Sequence, residues 1–455
     1  MQSERPVPKR ILTALIASLS AGVVPRTGTP YIAIGRGEEI TAMLSDLERV
    51  SEGGGSVRFL IGRYGSGKSF LMQLIRGYAL ERGFVCADVD LSPERRLYGT
   101  SGTGLATYRE LIKNMATKSS PDGGGLTQVL AKLIFDISSE LRAGGLDEGG
   151  DGWNAAFGNA LRERLRSLES FVGGYDFVSV ITHYYAAVLE DDDRTASACL
   201  RWLRGEYSGR TEARDDLGFR VSGIIGDAEW YDCVKLWAEL VSGLGYRGLV
   251  LFIDECVNLY KITHRIAREN NYEKILSIFN DTLQGRAPHL GIVFGGTPQF
   301  LEDRRRGLFS YEALHSRLND SRYEAAGFRN LSGPVIRLTR LSDDELLALL
   351  LRVTTLYGMY TGREPRITPE ERLEFLNTAL SRAGATGLIT PREMLRDYMT
   401  LLAILDGNPG VSYRDVAGRL SPEGGHPGEE AGEEESREAV TGGEKGKFDP
   451  ADIDF

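Results

Sequence analysis

Five runs of consecutive apolar residues indicate that the chain is an α/β protein. They span residues 57–61, 84–91, 248–255, 290–297 and 334–338. Apolar runs without alternation are typical of strands that are buried on both faces, as in a parallel sheet. We therefore predict a sheet of five parallel strands. Open α/β sheets bind their ligands at the carboxyl ends of the strands, so the polar residues that end several of these runs are candidate site residues.

Apolar residues that recur every three or four positions predict helices around these strands. The predicted helices cover residues 11–24, 39–50, 70–82, 264–285, 342–357, 368–383 and 391–404. Between the second and third strands, further helices are predicted at 108–117, 126–142, 153–171, 181–189, 195–203 and 231–240. A βαβ unit needs about 30 residues. The stretch 92–245 is much longer, which predicts an inserted helical subdomain.

These elements divide the chain into five predicted regions. They are an N-terminal region with an adenine-side segment (1–56), a sheet core (57–91 and 246–340), a mostly helical insertion (92–245), a C-terminal helical region (341–420) and an acidic tail (421–455). The tail holds eleven of the 64 acidic residues and three of the 54 basic residues, with few apolar residues. We expect such a segment to be disordered.

The last residues of the tail, Phe448–Phe455 (FDPADIDF), interleave acidic and apolar side chains. This pattern fits a short peptide that docks on a partner, and it equally fits a plain solubilising end. The net charge of −10 lies mostly in the tail. The rest of the chain is nearly neutral, which neither indicates nor excludes nucleic-acid binding.

The composition argues against membrane-spanning helices, disulfide bonds and a zinc site. No apolar run approaches the ~20 residues that a membrane-spanning helix needs. The basic N-terminus is followed by an amphipathic pattern over 11–24, which favours a helix over a signal peptide. We therefore expect a cytoplasmic location and no membrane partner. The four cysteines are scattered and form no C-x-x-C pair, so neither a disulfide framework nor a zinc site is expected.

The stretch Gly62–Ser69, with the sequence GRYGSGKS, fits the phosphate-binding pattern G-x-x-x-x-G-K-[ST]. It lies between a predicted strand and a predicted helix, so the helix N-terminus faces the anion. Its glycines let backbone N–H groups point at phosphate oxygens. Lys68 is expected to reach the β- and γ-phosphates, and the Ser69 hydroxyl to ligate Mg²⁺. The predicted nucleotide-binding residues of this stretch are Gly62, Tyr64, Gly65, Ser66, Gly67, Lys68, Ser69 and Phe70.

The strand at 248–255 ends in two carboxylates, Asp254 and Glu255. Together with the phosphate-binding pattern, they predict that Asp254 holds Mg²⁺ through water and that Glu255 polarises the attacking water. The next strand ends in Thr297, which is placed to hold that water or the γ-phosphate. The alternative, a turn that ends the strand before Pro298, stays open.

Ile34, Gly35 and Arg36 form a short apolar turn before the helix at 39–50. In nucleotide-binding folds of this order, such a turn often packs on adenine, which makes Ile34 and Arg36 candidate binding residues. An N-terminal turn with a helix cap explains the same residues equally well.

Arg392 lies in the first turn of a helix that Thr390 is expected to cap. A cation at the positive end of a helix dipole is unfavourable unless an anion lies nearby. This position favours a role in sensing phosphate. The alternative is a surface arginine paired with Glu393 or Asp397.

The motifs described above resemble, in chain order, those of AAA+ ATPases. The residues that carry the resemblance are Gly62–Ser69, Asp254, Glu255, Thr297, Ser316, Arg317, Thr390, Pro391 and Arg392. They are most similar to the initiator and clamp-loader side of the superfamily. The resemblance implies that Asp254 and Glu255 are the Walker B pair and that Thr297 is the first sensor.

The same resemblance implies that Arg317 is the arginine finger and that Arg392 is the second sensor, on a C-terminal helical lid. Arg304–Arg306 compete with Arg317 for the finger role. A finger acts across a subunit boundary, so the resemblance also implies an ATP- and Mg²⁺-dependent enzyme that forms homo-oligomers when it binds ATP.

A narrower resemblance lies around the phosphate-binding stretch. Residues 61–71 (IGRYGSGKSFL) and 89–92 (VDLS) are similar to the ATP-binding proteins of bacteriophage-exclusion (BREX) defence systems, the BrxD-like group. This implies an ATPase in a prokaryotic anti-phage complex that acts on DNA with partners such as a helicase or methyltransferase. The alternative is a low-turnover, ATP-dependent switch or scaffold that assembles partners.

Overall fold

The computed structural model describes residues 7–148, 150–320, 330–386 and 390–419. One sheet is formed by β1 (Ser56–Gly62), β2 (Val85–Asp90), β3 (Leu249–Asp254), β4 (Leu290–Gly296) and β5 (Val335–Leu338). Its strands are all parallel and run in the order β2-β3-β4-β1-β5. The predicted five-stranded parallel sheet is confirmed. Its carboxyl edge therefore brings together residues that follow five separate strands.

The strands are apolar because both faces of the sheet are covered. β1, β3 and β4 are buried along their full length. Successive residues of a strand point to opposite faces, so Phe59 belongs to the core on one face and Leu60 to the core on the other. Phe59 also stacks on Phe294 of β4, with the ring centroids 5.2 Å apart.

The helices follow the predicted pattern, and the described part of the chain contains several short helices in addition. In chain order they are α1 (Lys9–Ser20), α2 (Gly37–Ser51), α3 (Lys68–Glu81), α4 (Thr103–Lys113), α5 (Gly125–Ala143), α6 (Trp153–Leu165), α7 (Gly174–Leu189), α8 (Asp193–Leu203), α9 (Arg210–Leu217), α10 (Trp230–Gly243), α11 (Val257–Tyr260), α12 (Arg265–Leu283), α13 (Pro298–Glu302), α14 (Glu312–Leu318), α15 (Asp343–Thr361), α16 (Pro369–Thr386), α17 (Pro391–Gly407) and α18 (Tyr413–Arg419). None of the helices in the described part of the chain combines the length and apolar character that crossing a bilayer requires.

Helices α4–α10 lie between β2 and β3 in the sequence and share the apolar core of one sheet face. Buried aromatic side chains connect them. The Trp237 indole donates a hydrogen bond to the Tyr108 hydroxyl (3.0 Å), which donates to the Leu203 carbonyl (2.7 Å). The Trp230 indole donates to the carbonyl of Leu97 (3.0 Å), in the loop after β2. The helices of this stretch are thus present, and its separation as a subdomain stays a prediction.

The helices that follow β5 pack with the first helix of the chain. α1 contacts α15 and α17. α15 and α17 each begin with a capping box, formed by Ser342 with Glu345 and by Thr390 with Glu393. The chain up to Pro409 forms one compact unit, and α18 belongs to a second unit that begins at Gly410. The domain boundaries stay predictions, and the acidic tail with its terminal peptide lies outside the described residues.

A buried asparagine fastens the loop after β2 to α12. Asn271 is 1% exposed. Its side-chain oxygen accepts hydrogen bonds from the backbone N–H groups of Leu97 and Tyr98, both at 2.9 Å, and its amide donates to the Tyr98 carbonyl at 3.1 Å. This loop leaves the carboxyl edge of the sheet next to Asp90, so Asn271 fixes the backbone beside the candidate site.

Substituting Asn271→Ala is expected to lower the midpoint of thermal unfolding, because buried backbone groups that lose their partner cost about 1–3 kcal/mol each. Asn377→Ala on the exposed side of α16 is the matched control and should change stability by less than about 0.5 kcal/mol. Equal midpoints for the two variants would contradict this role of Asn271.

Candidate functional site

The phosphate-binding pattern forms the loop that connects β1 to α3. β1 ends at Gly62 and α3 begins at Lys68. Gly65 and Gly67 have backbone φ angles of 76° and 87°, in the left-handed region that favours glycine. No side chain caps α3, so the N–H groups of its first turn are available to an anion. The strand, loop and helix expected from the sequence are therefore present.

The loop is folded tightly on itself. A Cβ atom at Gly62 would lie 2.2 Å from the Ser66 hydroxyl oxygen, and one at Gly65 would lie 2.6 Å from Thr390 Cγ2. The Lys68 ammonium donates hydrogen bonds to the carbonyls of Gly62 (3.0 Å) and Arg63 (3.3 Å). Burial lowers the pKa of Lys68, and the negative charges of the nearby Asp254 and Glu255 oppose that shift.

Ser66 of the loop has a buried hydroxyl group without a hydrogen-bond partner among the described residues. The residue is 3% exposed. A buried polar group without a partner is costly. A phosphate oxygen in the adjoining cavity is a partner of the right chemistry for this hydroxyl.

The two carboxylates at the end of β3 lie against the start of α3. Asp254 Oδ2 accepts a hydrogen bond from the Ser69 hydroxyl at 2.6 Å, and Asp254 Oδ1 accepts one from the Glu255 backbone N–H at 2.8 Å. Asp254 is 8% exposed. A Cβ atom at Gly295 of β4 would lie 2.3 Å from Asp254 Oδ1. The absence of a side chain at Gly295 thus creates the space for the Asp254 carboxylate.

Glu255 has an unusual backbone and a shifted pKa. Its φ angle is 57°, a left-handed conformation that is uncommon for residues other than glycine. Burial raises the pKa of its carboxyl, and repulsion from Asp254 and Asp90 raises it further, against the attraction of Lys68 and Lys261. A carboxylate with a raised pKa is a better proton acceptor than a free glutamate.

These residues open into one pocket with a polar and an apolar end. The pocket holds about 1200 Å³ of empty space, including its open mouth. Its polar end is formed by residues 64–69 of the loop together with Glu255 and Arg392. Its apolar end, the apolar wall, consists of Leu19, Val23, Val24, Pro25, Ile32, Ile34, Leu341, Leu349 and Leu395.

Of the apolar wall, only Ile34 was predicted from the sequence as a binding residue. Leu19, Val23 and Pro25 come from the end of α1 and the turn after it, and Leu349 and Leu395 come from α15 and α17. The spacing of apolar residues predicts which face of a helix is buried. It does not show that these side chains meet at one cavity, because they are separated by most of the chain.

The remaining predicted residues divide into those that line the pocket and those that do not. Tyr64, Phe70, Arg36 and Arg392 line it. Arg392 is exposed in the first turn of α17. Among the described residues it forms no ion pair or hydrogen bond: Glu393 bonds to Thr390, and Asp397 pairs with Arg396. The alternative interpretation, an ion pair of Arg392 with Glu393 or Asp397, is thus not seen among the described residues.

Thr297 and Arg317 lie outside the lining of this pocket. Thr297 follows β4 and caps α13, where its hydroxyl accepts the Phe300 N–H at 3.3 Å. Arg317 is exposed on α14 and donates to the Ala313 carbonyl of its own helix at 2.8 Å. Of the competing arginines, Arg306 lies over the Tyr260 ring at 5.2 Å.

The sequence from residue 7 to residue 420 matches the family described as BREX system ATP-binding protein BrxC/D. The chain belongs to this family. The match covers the phosphate loop, the carboxylates of β3 and the helices after β5, so the resemblance to BREX ATP-binding proteins is confirmed. A comparison with curated proteins finds no match.

The pocket fits the ligand that the family description names. The loop supplies backbone N–H groups, Lys68 and the unpartnered Ser66 hydroxyl for phosphates, and the apolar wall supplies a surface for a base. For Mg²⁺, Ser69 and Asp254 offer a hydroxyl and a carboxylate oxygen. Mg²⁺ is usually held by one or two carboxylates together with phosphate oxygens and water. Among the described residues no group of three or more His, Cys, Asp or Glu could hold a metal.

The substitution Gly295→Ala is expected to weaken ATP binding in the presence of Mg²⁺ by about tenfold or more, which equals about 1.4 kcal/mol. The reason is that the added methyl group displaces the Asp254 carboxylate. Without Mg²⁺ the loss should be smaller. The measurement is a titration of each variant with ATP, with and without Mg²⁺.

Gly291→Ala in the same strand is the control, because a Cβ atom there would come no closer than 3.4 Å to any neighbour. If Gly295→Ala binds Mg·ATP as tightly as Gly291→Ala, Asp254 does not act in metal binding.

Proposed function

We propose that this protein is an AAA+ ATPase of a prokaryotic, BREX-like anti-phage complex, located in the cytoplasm. It couples ATP-driven oligomerisation to action on DNA together with partner proteins. One observation carries the proposal: the 2.6 Å hydrogen bond between Ser69 of the phosphate loop and Asp254 of β3, with Glu255 in the next position and lining the same pocket. A protein that bound ATP without hydrolysing it would not need the second carboxylate, Glu255, at the polar end of the pocket.

In this proposal each residue at the polar end has a separate task. The loop N–H groups, Lys68 and Ser66 bind the phosphates, while Ser69 and Asp254 hold Mg²⁺. When bound, Mg²⁺ neutralises charge that develops on the phosphate oxygens. Glu255 orients the attacking water and accepts its proton on the carboxylate, a task for which its raised pKa is suited.

Thr297 acts as the first sensor. It follows β4, and β4 lies between β1, which leads into the phosphate loop, and β3, which carries the carboxylates. Thr297 thus follows the strand that separates β1 from β3. Its present hydrogen bond to the Phe300 N–H uses only one lone pair of the hydroxyl, so its own proton remains available for a water or a γ-phosphate oxygen.

Arg317 acts as the arginine finger on the ATP of a neighbouring subunit. Its side chain is exposed, and in the described part of the chain it pairs with no carboxylate. A guanidinium of this kind is available to an anion from outside. Arg304 and Arg305 are also exposed and are the alternatives to Arg317 for this role. Because a finger acts on the ATP of a neighbouring subunit, a homo-oligomer is required for activity.

α15–α17 act as a lid, with Arg392 as its phosphate sensor. Arg392 lines the pocket, and without a partner among the described residues it is available to a phosphate. Thr390, two residues before it, lies against Gly65 of the phosphate loop. A shift of the phosphate loop on binding ATP would therefore move the start of α17.

Substituting Glu255→Gln is expected to reduce ATP turnover by about 10²- to 10⁴-fold, the range typical of a lost general base. Affinity for ATP should change little, because the amide keeps the size of the side chain, and ATP-bound oligomers should accumulate. Glu273→Gln, an exposed residue of α12, is the control. Steady-state phosphate release and mass measurement with ATP test both parts.

Normal turnover by Glu255→Gln would refute the assignment of the catalytic base. Turnover of the wild-type protein with and without duplex DNA then separates the two functions considered. Stimulation by DNA supports the ATPase proposal. A rate near zero under both conditions supports the low-turnover switch or scaffold.

A further inference from the structure

Arg36 is buried between three partners that the polypeptide itself supplies. Its guanidinium donates hydrogen bonds to the carbonyl of Ser66 in the phosphate loop (3.1 Å) and to the carbonyl of Thr339 just after β5. It also forms an ion pair with Glu39 at 3.3 Å, and the two side chains are 11% and 3% exposed. The donors of Arg36 are therefore directed mainly at protein acceptors rather than at the cavity.

The bond to the Ser66 carbonyl has a consequence for the phosphate loop. The peptide bonds of the described chain are trans, and in a trans peptide the C=O and the following N–H point in opposite directions. By holding the Ser66 carbonyl on one side, Arg36 turns the Gly67 N–H to the other. Gly67 lines the pocket, so this N–H is one of the donors that a phosphate would meet.

The backbone of Arg36 is strained, which indicates that the bonds of its side chain, including the one to the Ser66 carbonyl, compensate for the strain. Its φ angle is 65°, a left-handed conformation that costs a non-glycine residue free energy. The preceding Gly35 has a φ of 68° and approaches α15 so closely that a Cβ atom would lie 2.4 Å from the Glu345 carboxylate. A glycine at position 36 would relieve the strain, but only a long cationic side chain reaches Ser66, Thr339 and Glu39 together.

We propose that Arg36 is a positioning residue for phosphate binding: it orients the Ser66–Gly67 peptide of the phosphate loop and anchors that loop to the segment joining β5 to α15. This assignment rests on the proposed ATPase function and gives Arg36 a different role from contact with the base. Because Arg36 also bonds to Thr339, a movement of the helices after β5 would be transmitted through Arg36 to the phosphate loop.

The two roles predict different nucleotide affinities. If Arg36 orients the loop, Arg36→Gln weakens binding of ATP and GTP by the same factor, at least tenfold, and leaves their affinity ratio unchanged. If Arg36 contacts the base, the ratio changes. Arg10→Gln, an exposed arginine of α1, controls for loss of one positive charge. Full-length protein is titrated with each nucleotide in the presence of Mg²⁺.

Arg36→Lys provides a second variant in case Arg36→Gln does not fold, as judged by thermal unfolding without nucleotide. One ammonium cannot satisfy all three acceptors, so Arg36→Lys should bind both nucleotides about three- to tenfold more weakly at an unchanged ratio. Wild-type affinity in a folded Arg36 variant, or an altered ATP/GTP ratio, would overturn the inference. Failure of the wild-type protein to bind ATP would instead refute the proposed function.

Discussion

The hydrogen bond between Ser69 and Asp254 is the contact on which the site depends. Ser69 begins α3, which follows β1, and Asp254 ends β3, yet β1 and β3 are not neighbours, because β4 lies between them. The two side chains meet across β4 because Gly295 has no side chain to separate them. A parallel sheet in the order β2-β3-β4-β1-β5 thereby brings a phosphate loop and a pair of carboxylates, about 190 residues apart in the sequence, to one edge.

The pocket is lined by parts of the chain that are distant in sequence. A ligand in the pocket can therefore change how these parts are arranged. Apart from Arg392 of α17, the polar end consists of residues that follow β1 and β3, whereas most of the apolar wall comes from the end of α1, the turn after it, α15 and α17. A ligand that contacts both ends of the pocket favours the arrangement of helices and sheet in which both contacts form. It can shift the equilibrium toward that arrangement only as far as it binds it more tightly than other arrangements. Arg36 bonds to the phosphate loop and to the start of the segment that leads from β5 to α15.

The sheet and the polar end of the site were predictable from sequence because their signals are local. A strand buried on both faces is a continuous apolar run, and the phosphate loop is a fixed spacing of glycines before Lys68. The apolar wall, the gap at Gly295 and the bonds of Arg36 were not predictable, since each depends on residues that meet only in three dimensions. α9 was missed because only Ala213 and Leu217 of its residues are buried, which leaves no periodic apolar face.

In the proposed function, the loop after β1 binds the phosphates of ATP, with Lys68 as its charged side chain. Calorimetric titration of the purified full-length protein with Mg·ATP, beside Lys68→Ala, tests it directly. We expect saturable binding to the wild-type protein and binding at least tenfold weaker to Lys68→Ala, while the two nucleotide-free proteins unfold at the same midpoint. Absence of binding to the wild-type protein, or equal binding to both, would contradict this proposal.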